Sequence, residues 1–411
     1  MSKVRKDTKG RQLRKGEGYR KDIKLYYFSY TDPRRKRKVV YAKDLPELRD
    51  LEKNLLKDRL DGLSTYVDSK ADINYVFDRY IDTKRDLKGT TKTNYMYTFS
   101  RYVRNGFGKK RINDVMYSDV LSFYNSLLDQ DLSVSTVDNV HTVLHPTFQM
   151  AVRDGVIRLN PTDGALAEIK RNMKKTSGIR HALTVAEEKA FMDYIHDNDV
   201  EIRWVPLLTV MFGTGCRVGE IIGLRWDDVD FENRVISINH SVSYYPKSDK
   251  SYRCEYELST PKTEAGIRTI PMLDKVYDAL MLEKKNQKLF GLHCTTELNG
   301  MSGFIFCNRN GELHKPAGIN KVIKRIVHDY NAKEVIKAKR EKRDPLIVPS
   351  FSCHITRHTF CTRLCENETN IKVIQAVMGH KDIQTTLGIY AEVTEQKKKE
   401  EFKKLNEEGV L

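Results

Sequence analysis

Six side chains in the C-terminal half of this sequence could carry out one reaction together: Arg217, Lys262, His354, Arg357, His380 and Tyr390. Arg217 lies in Gly213-Thr214-Gly215-Cys216-Arg217-Val218-Gly219-Glu220. His354 and Arg357 close His354-Ile355-Thr356-Arg357, and the last two lie in Gly379-His380 and Gly388-Ile389-Tyr390. The set supplies cations, proton donors and one hydroxyl nucleophile, an inventory that suits attack on a phosphodiester without a metal. Such an attack builds negative charge on the nonbridging oxygens. Two guanidinium groups offer forked donors to it and stay charged at any working pH. A free phenol titrates at about 10 and needs help to become a nucleophile. The two cationic forks lower the cost of phenolate, and either His354 or His380 could take its proton. The leaving oxygen must depart protonated, and Lys262 could donate that proton.

Rigid elements must hold these groups. Thr184 and Glu187 form a capping box, the start signal of a helix. Trp204 to Phe212 is almost continuously apolar and predicts a buried helix. Gly213-Thr214-Gly215 breaks it, so Arg217 opens the next helix, which buries Val218, Ile221, Ile222 and Leu224. A helix N-terminus beside two glycines, with backbone amides nearby, favours an anion. Glu220, one turn on, is expected to hold the arginine or another site residue in place. A strand is expected over Val235–Ile238 and further strands over 251–259 and 267–272. Between the last two, Thr260 to Gly266 reads as a hairpin with Lys262 near its tip. A loop lysine is ordinarily just solvated; its place between Arg217 and His354 argues for more. His354 and Arg357, three apart, share a helix face that continues through Phe360 and Leu364. His358 reads as structural. Val373, Val377 and Met378 mark another buried helix that stops at Gly379. A lone tyrosine usually packs, but Tyr390 ends a short helix just past Gly-His, which favours the nucleophile.

The chain has 411 residues, room for two to four domains. Its 72 Lys and Arg against 56 Asp and Glu leave a net charge of +16, which favours a polyanionic partner, nucleic acid first. No apolar run is long enough to span a membrane. The start, Met1-Ser2-Lys3-Val4-Arg5-Lys6, is charged with nothing apolar behind it and does not read as a signal peptide. Seven cysteines, an odd number without a C-x-x-C pair, argue for reduced thiols in a cytosol. Cys361 and Cys365, one helical turn apart with only His358 nearby, read as core. His141 and His145, also a turn apart, lack carboxylate or thiol companions, so a structural or phosphate-facing role is favoured over a metal. No cofactor or metal is expected.

Residues 1–61 hold 20 Lys and Arg against 10 Asp and Glu, so most of the surplus charge sits in about a seventh of the chain. Lys24 to Tyr30 reads as an aromatic strand and Val39–Tyr41 as its partner. Arg34, Arg35, Lys36, Arg37 and Lys38 sit at the turn between them and are candidate DNA contacts. Asp44 is expected to cap a helix with Pro46 in its first turn, Glu47 three residues on, and Leu45, Leu48, Leu51, Leu55 and Leu60 as its stripe. From about 67 to 178 the pattern predicts four or five helices. Ser69, with Asp72 three residues on, opens the first; Ser118 caps the third; and the fourth is kinked or restarted at Pro146. Lys88, Lys92 and Arg101 are candidate phosphate contacts there. Residues 170–180, with Lys174 and Lys175, read as a basic, flexible linker and add two more candidates.

In order and spacing the six residues resemble the tyrosine recombinases, the integrase family that cuts and rejoins DNA through a phosphotyrosine. The sequence is most similar to integrases of conjugative transposons and temperate phages. The match is most specific at 213–230, 260–272 and 354–392. Lys6 to Glu17 also resembles the arm-site domain of conjugative-transposon integrases, a three-stranded sheet that reads a distal DNA site. The family's usual leucine between the motif His and Arg is Thr356 here, a position expected to pack. The resemblance implies a multidomain fold. Its parts are a small α+β arm-binding domain (1–66), an all-α core-binding bundle with the basic linker (67–178) and a mixed, mainly-α (α+β) catalytic domain (179–393). A C-terminal tail (394–411) would dock between protomers. It assigns the hairpin lysine to the minor groove, where it protonates the leaving oxygen. It also implies double-stranded DNA with core and arm sites as partner, a homotetramer on DNA, and an excisionase or a host DNA-bending protein as accessory. A bacterial cytosolic, nucleoid-associated setting follows. A type IB topoisomerase with the same chemistry and a non-catalytic repressor of the same fold are the alternatives. A metal-dependent nuclease fits less well, because no Asp/Glu constellation accompanies the histidines.

Overall fold

The computed structural model describes residues 5–7, 9–31, 37–60, 71–172, 181–246, 253–261, 264–367, 369–391 and 393. Two compact units divide the chain, residues 1–177 with 247–251, and residues 178–246 with 252–411. Among the described residues no helix is long and apolar enough to cross a membrane. Lys262, Arg34, Arg35, Lys36, Lys174, Lys175 and the tail 394–411 lie outside the described residues.

The first unit begins with an antiparallel sheet of β1 (Glu17–Arg20), β2 (Leu25–Thr31) and β3 (Arg37–Ala42), in that order. Helix α1 (Leu45–Leu60) covers one face, with Tyr26, Ala42, Leu45 and Leu48 as the core. Asp44 accepts the amide of Glu47 at 2.9 Å, so the expected cap forms. The leucine stripe is narrower than its spacing suggests: Leu51 is already 36% exposed. On the opposite face of β3, the alternate residues Arg37, Val39 and Tyr41 face outward.

The same unit continues with α2 (Ile73–Thr83), α3 (Gly89–Tyr102), α4 (Tyr117–Leu128), α5 (Val134–Arg153) and α6 (Ala165–Asn172). Asp72 caps α2 through the amide of Tyr75. The rings of Phe77 and Phe99 stack at 3.7 Å in a core shared with Tyr124, Leu144 and Phe148. Two local expectations change, and for Pro146 the restart is excluded. Ser118 lies inside the first turn of α4, whose start is instead closed by Asp119 accepting the amide of Met116 at 2.9 Å. Helix α5 runs through Pro146 as one element. Its flanking turns are held by burial of Leu144 and Phe148, which outweighs one lost backbone bond. Lys170 and Arg171 belong to α6 rather than to a linker, and Lys170 pairs with Asp138 on α5 at 2.6 Å.

The second unit contains α7 (Val185–His196), α8 (Val205–Thr214), α9 (Val218–Gly223), β4 (Val229–Asp230), β5 (Val235–Ile238), β6 (Ser241–Pro246), β7 (Cys254–Ser259) and β8 (Arg268–Pro271). Helices α10 (Asp274–Phe290), α11 (Pro316–Glu341), α12 (Cys353–Glu366) and α13 (Ile371–Met378) follow, and residues 383–391 are helical. Thr184 and Glu187 form the expected capping box on α7. Helix α8 is apolar on every side and packs against α10 and α12 at the centre of the largest core. Strands β4, β5 and β8 form one antiparallel sheet, and β6 pairs with β7 in another. The expected hairpin between 251–259 and 267–272 is therefore not a pair of bonded strands. β7 pairs back onto β6, matching Val242 with Leu258 and Tyr244 with Tyr256, whose rings lie 4.7 Å apart. β8 pairs with β5. β7 and β8 thus belong to different sheets, and Lys262, between them in sequence, lies outside the described residues.

Candidate active site

Two helix ends build the site. Helix α8 stops at Gly215, in the left-handed conformation with φ of 61°, and helix α13 stops at Gly379 with the same φ. A side chain at either position would be strained and crowded. A Cβ on Gly215 would meet Phe360 at 2.4 Å, and one on Gly379 would meet the carbonyl of Ala265 at 2.9 Å. Arg217 follows the first stop by two residues, and His380 follows the second directly.

The end of α13 would otherwise leave carbonyls without donors and a partial negative charge. Three arginines from three separate elements take consecutive carbonyls there. Arg268 Nε donates to Val377 at 2.6 Å, Arg357 Nη2 donates to Met378 at 2.5 Å, and Arg217 Nη2 donates to Gly379 at 3.3 Å. Arg357 also donates from Nη1 to the carbonyl of Gly215 at 2.8 Å, tying the two helix ends together. Arg357 is 4% exposed. Burial, and then repulsion from Arg217, lower its guanidinium to about 10, still charged at neutral pH.

Glu220 is buried, and it holds Arg217, one turn back, as its spacing suggested. Its Oε2 accepts the Arg217 amide at 2.8 Å and Arg268 Nη2 at 2.8 Å; its Oε1 accepts Arg217 Nη1 at 2.8 Å and Arg268 Nη1 at 3.2 Å. Burial opposes its charge, but the bonds from Arg268 and then Arg217 more than offset this and hold the carboxyl below its usual range.

His380 Nδ1 lies 2.9 Å from the hydroxyl of buried Thr386. Burial first, then the charges of Arg357, Arg217, Arg268 and His354, lower it to about 4, so the ring is neutral at working pH. His354 is exposed on α12, one turn before Arg357. Thr356 is fully buried and bonds back to the carbonyl of Cys353, a packing role. Tyr390 is half-buried in the helical residues 383–391 and packs, with Ile389, against Cys361, Cys365, Ile374 and Met378 of α12 and α13. Cys361 and Cys365 are core, as expected. One competing nucleophile is disarmed. Cys216, between the arginines, is pushed up to about 11 by burial and remains a thiol.

The remaining candidates lie elsewhere. Arg37 is exposed on β3 and donates to Ser29 at 2.7 Å, with Lys38 beside it. Lys88 precedes α3, and Lys92 and Arg101 lie on it, Arg101 beside the ring of Tyr102. His141 bonds Tyr124 at 2.9 Å and His145 bonds Asp163 at 3.0 Å. Among the described residues no group of three His, Cys, Asp or Glu could hold a metal.

Arg268 was missed. Its signal was present: it shares one face of β8 with buried Ile270, two residues on, which makes it an inward-pointing arginine. Its side chain is 5% exposed.

Residues 181–397 match the phage integrase family, and residues 1–59 match the DNA binding domain of tn916 integrase. The transposase from transposon Tn916 of Enterococcus faecalis is 27% identical over 99% of this chain and 98% of its own length. A tyrosine recombinase XerC-like protein of Caldanaerobacter subterraneus subsp. tengcongensis is 25% identical over 78% of each chain. A solved structure of the Tn1549 transposon integrase in complex with transposon right end DNA superposes with a TM-score of 0.69, at 28% identity, over 82% of this chain and all of that one.

Proposed function

The chain belongs to the phage integrase family and is a tyrosine recombinase, and on that premise we propose that it integrates and excises a conjugative transposon through a 3′-phosphotyrosine intermediate. The observation that carries the proposal is the convergence of Arg217, Arg357 and neutral His380 at the end of α13, beside the helical residues bearing Tyr390. Arg217 and Arg357 take the nonbridging oxygens of the scissile phosphate, exchanging bonds to carbonyls for bonds to a stronger acceptor. The Tyr390 oxygen attacks phosphorus. The bond to O5′ breaks, its electron pair leaves on that oxygen, and Lys262 supplies the proton. The phenol proton passes to His354 or His380. Burial first, and then the arginine charge, hold His380 near 4; a bound phosphate cancels part of that charge, so the ring becomes a better base once substrate is present. The phosphotyrosine conserves the bond energy, and the 5′-hydroxyl of another strand reverses the step to join the two.

The module boundaries follow the same reading: arm-site domain 1–66, core-binding bundle 67–178, catalytic domain 179–393 and tail 394–411. Arg37 and Lys38 serve the arm site, with Arg34, Arg35 and Lys36. Lys88, Lys92 and Arg101 serve the core site, with Lys174 and Lys175. A homotetramer joined through the tails assembles on core sites, with an excisionase or a DNA-bending protein setting direction. A topoisomerase would relax one duplex but not join two. The match of residues 1–59 to a second DNA-binding domain favours the recombinase. The test is incubation with a nicked att-like duplex. Wild type forms a covalent adduct, and Tyr390→Phe binds the duplex but forms none; equal adduct in both rejects the assignment.

A further inference from the structure

Glu220 faces two guanidinium groups that differ in what they can reach. Arg217 has a 45% exposed side chain and can meet a substrate; Arg268 is 5% exposed, and its Nε, Nη1 and Nη2 are all committed to Glu220 and to backbone carbonyls. All the contacts of Arg268 are internal: both oxygens of Glu220, the carbonyls of Val377 and Gly266, and the thiol of Cys216 at 3.9 Å. A buried carboxylate must be compensated by a cation. With Arg268 present, the trio carries one net positive charge, and it lies on the exposed member. Without Arg268, the full charge of Glu220 would fall on Arg217 alone, giving a closed ion pair with little field left for a phosphate.

We propose that Arg268 is a positioning residue: the buried counter-ion of Glu220 that reserves the charge of Arg217 for the scissile phosphate and fixes its fork against the end of α13. This rests on the recombinase reading above, in which Arg217 holds that phosphate. The same guanidinium joins β8 to the carbonyl preceding Met378, so one side chain sets both the charge and the place of the anion site.

The experiment measures adduct formation on a nicked duplex for full-length wild type, Arg268→Met, Arg268→Lys, Glu220→Gln and the double variant Glu220→Gln/Arg268→Met. Arg268→Met is expected to slow adduct formation by about 10²-fold, with duplex affinity within a few-fold of wild type. Arg268→Lys, which keeps the charge but not the fork, recovers at least about tenfold of that loss. The decisive arm is the double variant. Removing the charge of Glu220 frees Arg217, so the double variant is faster than Arg268→Met alone. A merely structural Arg268 makes the double variant as slow as, or slower than, the single. That result overturns the proposal, as does an Arg268→Met rate within about threefold of wild type. Should Arg268→Met fail to fold by circular dichroism, Arg268→Gln with the matching Glu220→Gln pair decides by the same comparison. A wild type that forms no adduct at Tyr390 sinks the parent reading; a normal wild-type adduct with unaffected variants sinks this inference alone.

Discussion

Arg357 is the side chain on which the site geometry turns. It is buried, bonds the carbonyls at both helix ends, and keeps its charge although burial and Arg217 lower it to about 10. Arg357→Lys retains a cation but loses the fork. Adduct formation on a nicked duplex should fall by roughly 10²–10³, with duplex affinity little changed; a rate near wild type would mean that the fork is not used. His380 makes a second prediction. Its folded value of about 4 lies below the ordinary histidine value of 6.5, held there by burial and by Arg357, Arg217, Arg268 and His354. Between those values the unfolded chain binds a proton that the folded chain refuses, so stability falls as pH drops from 6.5 toward 4. His314, also lowered to about 4 by burial, acts in the same direction. Melting temperatures at pH 7.5 and 5.5 should show a smaller difference in His380→Gln than in wild type. The sequence offered six candidate residues by type and order, and the structure brings three of them, Arg217, Arg357 and His380, to one helix end. The bond from Arg357 to a carbonyl 142 residues away was not, because no local period encodes a contact of that range. Arg268 was legible in principle, as a charge on the buried face of a strand, but its partners were not.

The elements that matter are short and end abruptly. Helices α8 and α13 both close on a left-handed glycine, and the chain beyond each delivers a site residue. Gly379→Ala puts a Cβ against the carbonyl of Ala265 and the side chain of Arg268 in a conformation that L residues rarely adopt. The strain is about 1–3 kcal/mol, and relief of it moves His380. The expected outcome is a soluble protein that binds the duplex and forms adduct at least about tenfold more slowly, measured against wild type in the same gel. Helices with strong signals were readable in advance: the apolar run of α8, the capping box of α7 and the stripe of α2 each carry their own periodicity or cap. Strand pairing was not. The partner of β7 was taken to be the next strand, whereas the short β6, bounded by Pro246, provided it through Val242 and Tyr244. Sequence proximity favours hairpins, but matched apolar faces decide register.

The whole molecule carries a net charge of +16, with much of the surplus in the first seventh of the chain. Binding to duplex DNA should therefore weaken steeply with salt, log affinity falling linearly with log salt concentration. Removing residues 1–66 should weaken binding to duplexes with an arm site more than binding to core-only duplexes; equal loss on both would argue against a separate arm-binding role. Charge distribution, apolar periodicity and the run of motifs each change along the chain and led to an expected three-part organisation; the contacts divide the chain into two compact units, the first sheet and helices α2–α6 falling in one. How protomers assemble is encoded in surfaces that no periodicity reveals. The central claim is that one phenol oxygen becomes bonded to a DNA 3′ end. The most direct measurement is digestion of the trapped adduct followed by mass spectrometry of the nucleotide-bearing peptide. The account predicts the nucleotide on Tyr390 through a 3′-phosphate; attachment to any other side chain, or through a 5′-phosphate, would contradict it.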